Sequence, residues 1–218
     1  MLRRLTKVDD DCDRQAMNNE GMDEKPMNPL VQKEGEDILF VCTGNICRSP
    51  MAEVFLGATL EGRESNIKVR SAGFLAAGER PTREILRVME ARGLDLTRHR
   101  STAIASALRT SPDLILCMTR QHLRSVVDID PNLLGRTFSL KEFVRLAEIE
   151  GPRWVGESMA HYLGRVGAGR RVEALSGPNE SDDISDPIGG SYSVYKKCAS
   201  EIEGLVAATA ENLWPAGR

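Results

Sequence analysis

A cysteine six positions before an arginine, with a serine directly after it, can carry out sulfur attack on a phosphate ester. Here the stretch is Cys42-Thr43-Gly44-Asn45-Ile46-Cys47-Arg48-Ser49. A tight loop between Cys42 and Arg48 can turn its backbone N–H groups inward and cradle a tetrahedral oxyanion. A helix starting near Arg48 adds its positive N-terminal end to the same point. Both effects favour the thiolate of Cys42, and the thiolate is the nucleophile. Arg48 can grip two phosphoryl oxygens with its planar fork, which a lysine cannot copy. Ser49 is placed to donate a hydrogen bond to the Cys42 sulfur and so stabilise it as the leaving group of a second step.

The neighbouring residues predict the elements that must hold this loop. The apolar run 37–41 ends at the cysteine and reads as a strand. Gly44 and Asn45 supply tight backbone turns, and Pro50 sits near the start of a helix over 48–62. Further along, strands are predicted over 67–71, 113–118 and 136–140. Helices are predicted over 82–92, 119–127, 141–149 and 191–213. Alternating strands and helices imply an α/β fold: a four-stranded, doubly wound parallel sheet with helices on both faces. In such a sheet ligands bind at the carboxyl ends of the strands where the strand order reverses. The loop after the first strand is the expected place.

The run Val41–Glu53 resembles the low molecular weight protein tyrosine phosphatases over the whole loop and the start of its helix. That resemblance implies a small doubly wound α/β fold, no metal, no cofactor, and a phosphocysteine intermediate. It also implies a general-acid aspartate before a proline near the C-terminus. Leaving-group departure from a tyrosyl ester needs such a proton donor, which then serves as base toward water. Ser181-Asp182-Asp183-Ile184-Ser185-Asp186-Pro187 offers three aspartates, of which the Asp-Pro pair selects Asp186, with Asp183 as the second choice. The catalytic set is then Cys42, Arg48 and Asp186, with Thr43, Gly44, Asn45, Ile46, Cys47 and Ser49 forming the phosphate loop. His99 resembles a family histidine that buttresses the loop asparagine, and Ser71 is read into the same network. His122 and His161 carry no motif and are read as surface residues.

The resemblance makes phosphotyrosine in proteins the expected substrate. Two features qualify it. Ile188 and Gly189 stand where many tyrosine-specific members have aromatics, and the Ile-Gly-Gly-Ser continuation is closer to bacterial branches that include protein-arginine phosphatases. Those typically carry threonine where this chain has Ile46, and isoleucine there resembles the tyrosine-specific members. A thioredoxin-coupled arsenate reductase is a further alternative on the same scaffold. It needs two relay cysteines; Cys117 falls near the first position, but residues 119–131 contain no cysteine.

Composition is that of an ordinary soluble globule: 218 residues, 41% hydrophobic and 28% charged. A formal net charge of −3 gives no support for nucleic acid as a partner. No apolar run approaches the ~20 residues needed to span a bilayer, and the basic N-terminus lacks the apolar stretch of a signal peptide. A cytoplasmic protein with no membrane partner is expected, and the sequence assigns no oligomeric state. The odd count of five cysteines does not suit a disulfide framework. Residues 1–36 read as a disordered tail before a single domain over 37–218. Residues 151–181 read as an insertion, with Met159, Tyr162, Leu163 and Val166 on one face of a short helix. Its arginines, Arg153, Arg165, Arg170 and Arg171, read as a solvated basic face.

Overall fold

The computed structural model describes residues 35–62, 66–170 and 181–215. The expected tail lies outside these residues but for its last two, as do Cys12 and residues 171–181 of the expected insertion except 181. Four parallel strands form one sheet in the order β2-β1-β3-β4: β1 is Glu36–Cys42, β2 Ile67–Gly73, β3 Leu114–Cys117 and β4 Thr137–Ser139. The chain leaves β1 toward β2 on one side and returns to β3 on the other. The strand order therefore reverses at β1, and the crevice that opens there lies at the carboxyl end of Cys42.

β1 shows why both faces must be covered. Ile38 and Phe40 enter one apolar cluster, Leu39 and Val41 the other, and all four are fully buried. Successive strand side chains point to opposite faces, so a continuous apolar run fits only a strand buried on both sides. The larger layer contains α1 (Arg48–Leu60), α2 (Arg83–Glu90), α5 (Leu140–Glu150), α6 (Met159–Val166) and α7 (Tyr192–Leu213). The smaller contains α3 (Ile104–Leu108), α4 (Arg120–Ile129) and a 3-10 turn over Pro131–Arg136. α3 and the 3-10 turn lie outside the elements predicted from the sequence. Both are short, and Ile104 and Leu133 reach the core from segments without a helical apolar period.

In the stretch expected to be an insertion, Arg153, Arg165 and Arg170 do not form the solvated basic face expected from the sequence; Arg171 lies outside the described residues. The Arg170 side chain lies over the Phe138 ring at 4.1 Å from its centroid and bonds Glu142 at 3.0 and 3.2 Å. Arg153 pairs with Glu36 at 2.6 Å. Arg165 lies 4.0 Å from the Trp154 ring centroid and closes on Glu157 with a two-point fork of 2.8 and 2.9 Å. Arginine stacks on rings and grips carboxylates in ways that counts of basic residues do not anticipate. Met159, Tyr162, Leu163 and Val166 all face the core from α6.

The Arg165 fork, followed by the Trp154 N–H and His161, holds the Glu157 carboxyl down at about 2, from an ordinary value of 4.5. A depressed folded-state pKa gives stability that is complete above the ordinary value and lost as pH falls through the folded one. Glu157→Gln is therefore expected to lower the melting temperature at pH 7, with the gap to the parent narrowing steadily below pH 4.5. Thermal melts of both proteins from pH 7 to pH 3 check this; a gap that stays constant across the range contradicts it.

Candidate active site

Cys42 is the last residue of β1 and is almost fully buried. Two polar groups converge on its sulfur. Ser49 Oγ lies 3.0 Å from Sγ, and the Asn45 backbone N–H points at it from 3.2 Å. Asn45 reaches this geometry because its φ is +52°, in the left-handed region that asparagine tolerates better than most residues. Its side chain is pinned at both ends: Nδ2 donates to Ser49 Oγ at 3.0 Å and to Ser71 Oγ at 2.8 Å, and Oδ1 accepts from the Thr102 N–H at 2.7 Å. His99 Nε2 sits 2.9 Å from the Asn45 carbonyl, and Ser71 in turn donates to Glu53 on α1. His99 and Ser71, far apart in sequence, thus meet on one loop residue.

Gly73 belongs to this arrangement although the sequence reading gave it no role. A Cβ there would meet Thr43 O at 2.7 Å and Asn45 N at 2.8 Å. The end of β2 presses so closely on the loop that no larger residue fits without moving backbone.

Arg48 opens α1 and is nearly buried, its guanidinium aimed at the segment before α7. Nη1 donates to the Ile184 carbonyl at 2.9 Å and Nη2 to Asp186 Oδ2 at 2.5 Å. The Asp186 side chain is 41% exposed, and its other oxygen accepts from the Ile188 N–H at 3.1 Å. Asp183 is engaged differently. Its Oδ1 accepts from the Arg120 N–H at 2.7 Å, while its carbonyl accepts from Lys141 at 2.9 Å. Of the three aspartates in the segment, Asp186 is the one bonded to Arg48; Asp182 is fully buried. A cavity of about 670 Å³ opens over this group, with Thr43, Arg48, His122, Lys141, Asp183 and Asp186 in its walls.

His122 is not a surface residue, contrary to the sequence reading. It is 7% exposed and bridges Thr43 Oγ1 at 2.8 Å to Thr119 Oγ1 at 2.9 Å. Burial, then the Arg48 charge, pushes its pKa down to about 4, so at neutral pH the ring is uncharged. Its i to i+4 surroundings on α4 gave no hint of this, because its partner Thr43 lies 79 residues away. His161, by contrast, has a mostly exposed side chain.

Among the described residues the remaining thiols, Cys47, Cys117 and Cys198, are core groups. Burial drives Cys47 and Cys117 well above the ordinary thiol range and Cys198 up to about 12. Buried, protonated thiols are poor nucleophiles. Among the described residues, no group of three or more His, Cys, Asp or Glu side chains is placed to hold a metal ion. Among the same residues, no helix is long and apolar enough to cross a membrane.

Residues 37–162 match the family described as low molecular weight phosphotyrosine protein phosphatase. A protein-arginine-phosphatase of Bacillus subtilis is 30% identical over 178 residues, covering 81% of this chain and 96% of the relative. The low molecular weight protein-tyrosine-phosphatase Etp of Escherichia coli is 33% identical over 139 residues, covering 63% of this chain and 91% of that one. The crystal structure of a low molecular weight protein tyrosine phosphatase from T. tengcongensis superposes with a TM-score of 0.62 at 30% identity, covering 82% of this chain and all of the other. By sequence match, by full-length relatives and by sheet architecture, this chain belongs to the low molecular weight phosphotyrosine protein phosphatase family and is a cysteine-dependent phosphatase.

Proposed function

We propose that the protein hydrolyses phosphotyrosine in protein substrates in two steps. In the first, the Cys42 thiolate attacks phosphorus while Asp186 gives a proton to the departing phenolate. In the second, Asp186 as carboxylate takes a proton from water, which attacks the phosphocysteine, and Cys42 leaves as thiolate. Arg48 and the loop N–H groups balance charge on the phosphoryl oxygens throughout. Asn45 and Ser49 hold the loop and the sulfur, and His99 and Ser71 hold Asn45. The observation that carries this reading is the convergence of the Ser49 hydroxyl and the Asn45 N–H on Cys42 Sγ, with Arg48 of the same loop bonded to Asp186 at 2.5 Å. A cytoplasmic setting suits the reading, because a reducing compartment keeps such a thiolate free.

Apolar side chains at the loop support an aromatic leaving group. A Cβ on Gly44 would lie 3.3 Å from Ile46 and 3.7 Å from Leu75, and Leu75 and Ile188 are both exposed. A second reading, dephosphorylation of phosphoarginine, draws support from the cavity wall. Its two carboxylates, Asp183 and Asp186, suit a guanidinium, and the Bacillus subtilis relative named above is a protein-arginine-phosphatase. Side-by-side kcat/KM values on matched phosphotyrosine and phosphoarginine peptides separate the two. Higher efficiency on phosphotyrosine is expected; a reversed preference overturns the substrate assignment while leaving the thiolate mechanism in place.

A further inference from the structure

The phosphate loop and the segment carrying Asp186 come from opposite ends of the domain, with Arg48 and Asp186 138 positions apart. Residues 182–187 have no helix or strand of their own. Proton transfer needs the donor within hydrogen-bond reach of the leaving oxygen. Misplacement by about 1 Å is enough to cost roughly 10²-fold in rate. Some element must therefore set the distance between the two loops.

We propose that the head of α4, Thr119–His122, is this positioning element, gripping the acid segment with Arg120 and the phosphate loop with His122. The grip on the acid segment has two points. Arg120 Nε and Nη2 close on Asp182 Oδ2 at 2.9 and 2.7 Å, and the Arg120 N–H bonds Asp183 Oδ1 at 2.7 Å. Asp182 is fully buried, and Arg145 of α5 reaches its other oxygen at 3.2 Å. A buried carboxylate held by a planar fork has one low-energy place, since leaving the fork exposes an uncompensated charge to the apolar interior. Just ahead of α4, the Met118 carbonyl accepts from the Ile184 N–H at 2.8 Å and continues the same seam.

The grip on the phosphate loop is neutral. His122 stands between the hydroxyls of Thr43, next to the nucleophile, and Thr119, the N-cap of α4. An uncharged imidazole has one donor and one acceptor nitrogen, and a hydroxyl can serve either role, so both bonds are satisfied at once. The Phe74 ring stacks on it with centroids 5.9 Å apart and planes within 10°, which restricts the ring's tilt. Two residues apart on one helix turn, Arg120 and His122 thus tie together loops that the chain itself leaves unconnected.

The proposal rests on the reading of Asp186 as the acid, and the experiment separates the two. The measurement is kcat on a series of aryl phosphates of graded leaving-group pKa, with inhibition by inorganic phosphate alongside. The proteins are the parent, Asp186→Asn, Arg120→Met, Arg120→Lys, His122→Leu and His122→Gln. Arg120→Met and His122→Leu are expected to lose about tenfold or more on phenolates that need a proton, against about threefold or less on those that leave as stable anions. Phosphate inhibition should stay within about twofold, because the cradle itself is untouched. Glutamine at 122 can still bridge two hydroxyls, so His122→Gln should recover much of the loss; Arg120→Lys should recover less, lacking the fork.

A steep leaving-group dependence in Asp186→Asn with flat lines in Arg120→Met and His122→Leu overturns the positioning role alone. A flat line in Asp186→Asn overturns the acid assignment and this proposal with it. An equal loss on all leaving groups, tracking a fall in melting temperature, assigns Arg120 and His122 to packing and also overturns it. If Arg120→Met does not fold, His122→Leu, which removes no charge at neutral pH, decides the matter by the same criteria.

Discussion

Cys42→Ser is expected to abolish turnover, by about 10⁴-fold or more, while the protein still folds and still binds inorganic phosphate. Loss of a nucleophile on this scale is typical of covalent hydrolases, and what survives is the contribution of the binding cradle. The exchange replaces one buried sulfur by a smaller oxygen, so the end of β1 is little disturbed. The groups expected to hold phosphate, the loop N–H groups and the Arg48 guanidinium, are not substituted. An alcohol at position 42 lacks the accessible anionic form that makes sulfur an effective nucleophile near neutral pH. The check is single- and multiple-turnover hydrolysis of a phosphotyrosine peptide, with calorimetric binding of phosphate to the same preparation. Appreciable hydrolysis by a folded Cys42→Ser protein would remove the covalent mechanism.

Asp186→Asn is expected to lower kcat on phosphotyrosine by about 10²–10⁴-fold, the range of a full acid–base contribution. The loss should shrink on aryl phosphates whose leaving groups are already stable as anions. Phosphate affinity should be unchanged or stronger, because the free protein holds Arg48 against the Asp186 carboxylate at 2.5 Å and an incoming phosphate must compete for that guanidinium. Asp183→Asn should cost far less in chemistry. Its carboxylate caps the Arg120 N–H, and an asparagine carbonyl can accept the same bond. A steep leaving-group dependence in Asp183→Asn, and not in Asp186→Asn, would move the acid three residues upstream.

Features carried by contiguous residues were legible in the sequence. The loop from Cys42 to Ser49 has its geometry written in eight successive side chains: an apolar strand before it, asparagine where the backbone turns left-handed, and a helix with proline in its first turn after it. The alternation of strands and helices implied a parallel sheet, and the site lies where such sheets place theirs. Asp186 was singled out through the family resemblance, by the proline that follows it, and in the structure it is bonded to Arg48. Even His99 and Ser71 came within reach, though through the family resemblance and not through their own spacing.

Tertiary structure decided the residues whose partners are distant. His122 looks like any polar residue on the outer face of a helix until Thr43, 79 positions away, and Phe74 close over it. Arg120 and Asp182 are 62 residues apart and each is ordinary alone; packed together they form a buried pair beside the site. Arg165 and Arg170, which by composition alone suggest a wet basic surface, lie on rings and carboxylates. The physical reason is common to all of them. Backbone conformation and apolar periodicity are local properties, governed by each residue and its near neighbours along the chain. Desolvation, ion pairing and ring stacking depend on what the fold brings within a few ångströms, and the spacing of residues along the sequence carries no trace of it.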